Sequence, residues 1–381
     1  MTRKYKNILT CFLIIIGTVI FALIIVEIGI RLYSNYGRIT PALSLSRSLE
    51  YEPSIFCRHV FPRKEKNVTQ CITEGYEAEP KYHINPKGYR GKDFSIIKPE
   101  EAIRIIIYGG SSVFDTSAYI NENRDWPHKV EDLLHGMGYP WVEIINGGIP
   151  GHASFDSLGR LYAEGHHFNP DYVLIYNAWN DIKYFRSKES LLRQFKPLGE
   201  TADPRLHYKN WLDKFICEHS WLYERLRSRY FNRKLRLGRE GVKPESGAKG
   251  KISDEAVEQY RLTMEMFVDL ARNIGAVPVL MTQARLIDRD NSEEEKARIS
   301  YDMVLLTPPA LCRAFEATDE VIYSVSREKD VPLIDASRFL SGNGDLFEDH
   351  VHLSHTGSAS LAELTARKLA ELIKSREQEG K

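Results

Sequence analysis

The sequence has no surplus of either charge. Lys plus Arg and Asp plus Glu each number 52 in 381 residues, so the formal net charge is zero. A chain that binds nucleic acid through bulk charge carries an excess of Lys and Arg, so that class is excluded and no nucleic-acid partner is expected. Cysteine is scarce: Cys11, Cys57, Cys71, Cys217 and Cys312 are the five, with no CxxC pair and no Cys–His cluster at zinc-binding spacing. No metal and no cofactor are expected. Internal repeats and long low-complexity tracts are absent as well. Hydrophobic residues make up 43% and aromatics 11%, too rich for a disordered chain.

One long uncharged run is present. Ile8 to Val26 reads "ILTCFLIIIGTVIFALIIV", 19 residues without a charge. As a helix it spans roughly 28 Å at about 1.5 Å per residue, close to the thickness of a bilayer core. Arg3, Lys4 and Lys6 precede it. The positive-inside rule then leaves the short N-terminal tail in the cytoplasm and the remainder outside, as a single-pass membrane protein. A cleaved signal peptide has a shorter apolar region and a small-x-small site, and "VEIGIRLY" offers none. A buried core helix is the third reading, but the run has no polar face. Glu27 at its far end reads as an interfacial carboxylate. On the exported side disulfides persist, and Cys57 and Cys71 lie near enough in sequence to bridge, although sequence leaves the pairing open. "NVT" at Asn67 is a glycosylation acceptor only in a eukaryotic cell.

Three regions are expected: a tail and anchor over 1–33, a stalk and extended segment over 34–100, and a main domain over 101–381. In the last, short apolar runs alternate with helical patterns. Strands are expected at Arg104–Tyr108, Val142–Ile145, Tyr172–Tyr176, Val277–Met281 and Pro332–Asp335. Near-continuous apolar strands separated by helices point to an α/β fold with a parallel sheet covered on both faces. Pro127 suits a first helical turn, with Gly136 or Gly138 as the stop, and Ser253 suits an N-cap. Ser358 to Ser375 places Leu361, Leu364, Leu369, Leu372 and Ile373 on one helical face. A long connection, about 182–274, carries the Arg-rich, aromatic-rich "SWLYERLRSRYFNRKLRLGR". It reads as a helical insertion with a solvated basic face, or as a lid or a surface for anionic polymer or lipid headgroups.

Ligands of an open parallel sheet bind beyond the carboxyl ends of its strands. Past the expected strands stand "GGSS", "NGGIPGHAS", "NAWND", "TQARL" and, after a loop, "EDHVHLSHTG". Serine, glycine, asparagine and an Asp/His pair thus converge on one edge. Acyl transfer through a serine needs that set: a histidine to take the proton, a carboxylate to orient the histidine, and donors for the oxyanion. Ser112 is a rival to Ser111. His350 and His352 with Asp349 could suggest a metal, but no partner cluster accompanies them. His166 and His167 read as surface or turn residues. Tyr176 and Trp179 read as packing residues, with Trp179 a candidate for an acyl pocket.

At these blocks the chain resembles the SGNH (GDSL-type) hydrolases. Gly109-Gly110-Ser111 matches the family's Gly-Asp-Ser, Gly151 the second-block glycine, Ala178-Trp179-Asn180-Asp181 the Gly-x-Asn-Asp block, and Asp349-His350-Val351-His352 the Asp-x-x-His block. "INPKGYRG", Ile84 to Gly91, resembles the segment before the catalytic domain in membrane-anchored bacterial members. The resemblance implies a doubly wound, flavodoxin-like, five-stranded parallel sheet. It implies Ser111 as nucleophile, His352 as base and Asp349 as its orienting carboxylate. It implies an oxyanion hole from the Ser111 and Gly151 backbone N–H groups and the Asn180 side chain. Two departures stand out: Gly110 replaces Asp and removes a side chain that helps order the loop, and Ala178 replaces Gly, tolerable unless φ is positive.

The expected function is a membrane-anchored serine esterase acting on an ester-bearing envelope glycan or lipid, with an acetyl or other small acyl group. An O-acyltransferase with the same triad, a catalytically silent glycan-binding member and a cofactor-binding flavodoxin-like domain are the alternatives.

Overall fold

In a computed structural model of the chain, the described residues are 3–36, 52, 54–61, 63, 66–69, 81–115, 125–188, 210–220, 222–223, 226–227, 229–230 and 248–379. Seven helices are used below: α1 (Arg3–Tyr36), α2 (Trp126–Gly136), α3 (Ser154–Ala163), α4 (Trp211–His219), α5 (Asp254–Asn273), α6 (Pro308–Glu328) and α7 (His355–Glu379). The strands are β1 (Lys66–Thr69), β2 (Lys81–Ile84), β3 (Ile103–Gly109), β4 (Val142–Gly148), β5 (Tyr172–Tyr176), β6 (Val277–Met281) and β7 (Leu333–Ile334).

The run Ile105–Ile107 is fully buried, and β5 is buried at every position. A strand of bulky residues at every position has no face for water, so both faces must be covered. Helices α2 and α7 cover one face and α3, α5 and α6 the other. The expected doubly wound, flavodoxin-like sheet is present. Five strands run in the order β4-β3-β5-β6-β7, and every pairing is parallel. The order reverses between β3 and β5, which opens a crevice above their carboxyl ends.

Tyr172–Tyr176 and Val277–Met281 form strands with the bounds read from the sequence. β3 and β4 run further, to Gly109 and Gly148, because parallel pairing continues through those glycines. Pro127 occupies the first turn of α2, and Gly138 follows the helix with φ +97°, the left-handed geometry of a glycine stop. Ser253 holds the N-cap position of α5, but its hydroxyl donates to Glu255 Oε2 at 2.6 Å and does not cap the helix. Cys57 is a free, buried thiol, and Cys71 lies outside the described residues. Residues 240–247 also lie outside them.

Two compact units are separable: 1–49 with 70–79 and 202–241, and 50–69 with 80–201 and 242–381. In the first, α1 contains Cys11–Ile30, long and apolar enough by length and composition for a membrane span or a signal sequence. The second contains both sheets and every candidate site residue.

Candidate active site

The chain leaves β3 at Gly109, turns at Gly110, and enters the short helical turn Ser111–Phe114. "INPKGYRG" braces that turn. The Asn85 side chain accepts from the backbone N–H groups of Lys87 and Tyr89, both at 3.0 Å, and folds the segment into a loop. Fully buried Arg90 then donates to the carbonyls of Phe114 and Asp115 and pairs with Asp125 at 3.2 Å. A cation at the carboxyl end of the turn satisfies carbonyls that the short helix cannot.

Ser111 faces His352. The His352 Nδ1 lies 2.7 Å from Asp349 Oδ2, and Nε2 lies 2.7 Å from Ser111 Oγ. A carboxylate only accepts, so Nδ1 carries the proton and Nε2 accepts from the serine hydroxyl. Asp349 Oδ1 also receives the backbone N–H groups of Val351 and His352, at 3.0 and 2.9 Å, which fixes the loop bearing both residues. Burial pushes the Asp349 carboxyl up, but the His352 hydrogen bond and the nearby histidines outweigh it and hold it below the usual carboxylate range.

Ser112 points elsewhere. Its Oγ donates to Val351 O at 3.3 Å and accepts from Gln283 Nε2 at 3.0 Å. Gln283 Oε1 in turn accepts from Trp179 N at 2.7 Å, so one buried amide ties the ends of β3, β5 and β6 to the histidine loop. Trp179 is buried, stacked on Phe315 and 4.0 Å centroid to centroid from His350. Burial pushes the His350 imidazole down to about 4, so it stays neutral near pH 7. His166 and His167 sit exposed on a 3₁₀ turn. Among the described residues, no group of three or more His, Cys, Asp or Glu side chains is arranged to hold a metal.

The second-block glycine is braced by residues that the sequence gave no reason to single out. Gly151 has φ +89°, which favours glycine, although a β-carbon there would meet only His59 Cε1 at 3.7 Å. His59 Nε2 lies 3.0 Å from Pro150 O. The carbonyl can only accept, so His59 donates and fixes the peptide whose other side is the Gly151 N–H. Arg58 donates to Gly151 O and fixes the next peptide. The guanidinium is held by fully buried Asp156, which also receives Arg58 N at 2.8 Å and Ala153 N at 2.9 Å. Arg58 precedes its partner by 98 residues, so no local pattern marks the pair.

In the third block, Asn180 Nδ2 donates to His152 O at 2.8 Å and Lys183 Nζ donates to Asn180 Oδ1 at 2.6 Å. The lysine fixes the amide orientation, and one Nδ2 hydrogen stays available for an oxyanion. Burial, with the Arg58 charge adding, pushes Lys183 down to about 7. Ala178 has φ −160°, an extended geometry that needs no glycine. Asp181 accepts from Ser154 N and, at 2.6 Å, from Ser154 Oγ, and burial pushes its carboxyl up to about 7.

The four blocks through which the chain resembles the SGNH hydrolases therefore converge on one sheet edge. No family model and no curated protein matches the chain. Solved structures similar to it include a lipase/acylhydrolase from Enterococcus faecalis, at 17% identity and TM-score 0.41, covering 70% of this chain and 95% of that one. A GDSL-like lipase from Bacteroides thetaiotaomicron is similar at 11% identity and TM-score 0.41, covering 74% and 92%. A catalytic mutant of an acetylxylan esterase from Geobacillus stearothermophilus is similar at 14% identity and TM-score 0.41, covering 71% and 96%. At such identities the functional reading rests on the side chains of the site itself.

Proposed function

We propose that the chain is an SGNH-type serine esterase. The observation that carries this reading is the unbroken hydrogen-bond chain from Ser111 Oγ through the His352 imidazole to Asp349. In the proposed reaction Ser111 Oγ attacks an ester carbonyl while its proton passes to His352 Nε2. Asp349 stabilises the imidazolium. The Ser111 and Gly151 N–H groups and Asn180 Nδ2 donate to the tetrahedral oxyanion. Collapse expels the alcohol with the proton from His352. Water, activated by the same histidine, then releases the acid and restores Ser111.

The location proposed for the site follows from the apolar helix. Cys11–Ile30 is read as a membrane anchor, with the basic residues before it in the cytoplasm and the esterase outside. An outward-facing anchored esterase meets envelope glycans and lipids, so O-acyl groups on these, acetyl first, are the proposed substrates.

The test treats the full chain in detergent with a fluorophosphonate and maps the adduct by mass spectrometry, beside hydrolysis of p-nitrophenyl acetate. Adduct on Ser111, with both adduct and hydrolysis lost in Ser111→Ala at unchanged melting temperature, supports the esterase. A folded protein that takes no label overturns it.

A further inference from the structure

Helix α4 exposes large apolar side chains, with His219 stacked on Phe215, and buries a carboxylate. Its buried side holds Asp213 and Cys217. Asp213 is gripped by Arg227 Nε at 2.9 Å and Nη2 at 3.0 Å, and by the Tyr223 hydroxyl at 2.9 Å. Its open side presents Trp211, Leu212 and Phe215, with Trp211 77% and Phe215 52% exposed. Residues i and i+4 share a helical face, so Trp211 and Phe215 form one aromatic ridge. Leu226 and Tyr230, from the turns that follow, are exposed as well. A polar pair inside and large apolar groups outside is the arrangement that an apolar surrounding favours, the reverse of a soluble amphipathic helix.

The same compact unit contains α1, and one contact fixes the depth. Glu27 Oε2 accepts from Ser220 Oγ and from Leu222 N, both at 2.9 Å. Glu27 lies three residues before the end of the Cys11–Ile30 stretch, about 4.5 Å along a helix. A bilayer crossed by α1 therefore places Ser220, and the segment on either side of it, at the level of the headgroups. Arg229 is exposed there; Arg225, Arg233, Lys234, Arg236 and Arg239 are close by in sequence but lie outside the described residues. Trp and Tyr beside basic residues are the side chains that settle at an anionic membrane surface.

We propose that helix α4 docks into the headgroup layer of an anionic bilayer, with Trp211 and Phe215 inserted and Glu27 clasping Ser220, at the end of the helix, to α1. This rests on the anchored reading above, and it assigns the basic insertion to lipid contact.

The test reconstitutes the full chain in phosphatidylcholine/phosphatidylglycerol vesicles that contain a phospholipid with a diazirine on its acyl chain. After photolysis the labelled peptides are mapped by mass spectrometry. Adducts on the Trp211–Phe215 segment together with the 11–30 segment are expected. The double variant Trp211→Ser/Phe215→Ser should lose the first and keep the second, with p-nitrophenyl acetate hydrolysis unchanged. Label confined to 11–30 in the wild-type chain overturns the docking while leaving the anchor. Label on neither segment overturns the anchored reading and the docking with it.

Discussion

Gly110 lies so close to Asn180 that a β-carbon on Gly110 would stand 2.6 Å from Asn180 Nδ2 and 2.9 Å from His152 O. No real β-carbon tolerates the first contact, and the second is to backbone. The SGNH block has Asp at this position, and a side chain here would require Asn180 or the His152 peptide to shift. Gly110→Ala should displace Asn180 and lower kcat by about 10²–10³, the cost of one oxyanion donor, with Asn180→Ala giving a loss of the same size. Gly110→Asp should be no better. Steady-state kinetics on p-nitrophenyl acetate decide it, and a gain in kcat on Gly110→Asp would show that the loop makes room.

Asp349 holds the proton of His352 on Nδ1, and with it the tautomer that lets Nε2 accept from Ser111. An asparagine there can present its N–H₂ group to the ring and reverse the tautomer. Asp349→Asn should lower kcat by about 10⁴ with the fold intact. A loss under tenfold, in a variant whose melting curve matches the wild type, would mean that Asp349 does not serve His352.

Arg58 links Asp156 to the Gly151 carbonyl from a segment that precedes the main sheet. Arg58→Met leaves Asp156 buried and ionised without its cation, which costs about 3–5 kcal/mol when one member of a buried pair is removed. Denaturant unfolding should show that loss. At temperatures where the variant is folded, kcat should fall while KM changes little, because the peptide after Gly151 loses its brace and the turn that aims the Gly151 N–H loosens. A folded variant with full kcat would limit Arg58 to stability.

Asp181 gives a pH dependence of stability. Its carboxyl is pushed up to about 7 by burial, against about 3.9 in an unfolded chain. Between those values the folded state binds more protons than the unfolded state, so this group makes stability fall as pH rises from about 4 to about 7. Asp181→Asn keeps an oxygen to accept from Ser154 and cannot ionise. The variant should lose that part of the slope and gain on the wild type toward pH 7. Parallel melting curves for the two proteins from pH 4 to 8 would refute the assignment.

The legible parts of the site were those written in short stretches. "GGSS", "NAWND" and "DHVHLS" each follow a strand, or the loop after one, within a few residues, so residue type and position point to the same edge. The side chains that aim these groups were hidden. Arg58 and Asp156, and Gln283 and Ser112, are pairs 98 and 171 residues apart. No periodicity connects such partners, because each pair is brought together only by the folded chain.

The sequence alone determined the two periodic features of this protein. Apolar strands alternating with helices can bury themselves only in a covered parallel sheet, and an uncharged 19-residue run has the length of a bilayer core. The block resemblance pointed to Ser111 over Ser112, but where each hydroxyl is aimed was decided by tertiary structure. Both serines follow the same strand, and the turn at Gly110 gives one hydroxyl to His352 and the other to Gln283 and Val351. The room around residue 110 was decided in the same way. Asn180 and His152, which follow two other strands, approach so closely that a β-carbon there requires one of them to shift.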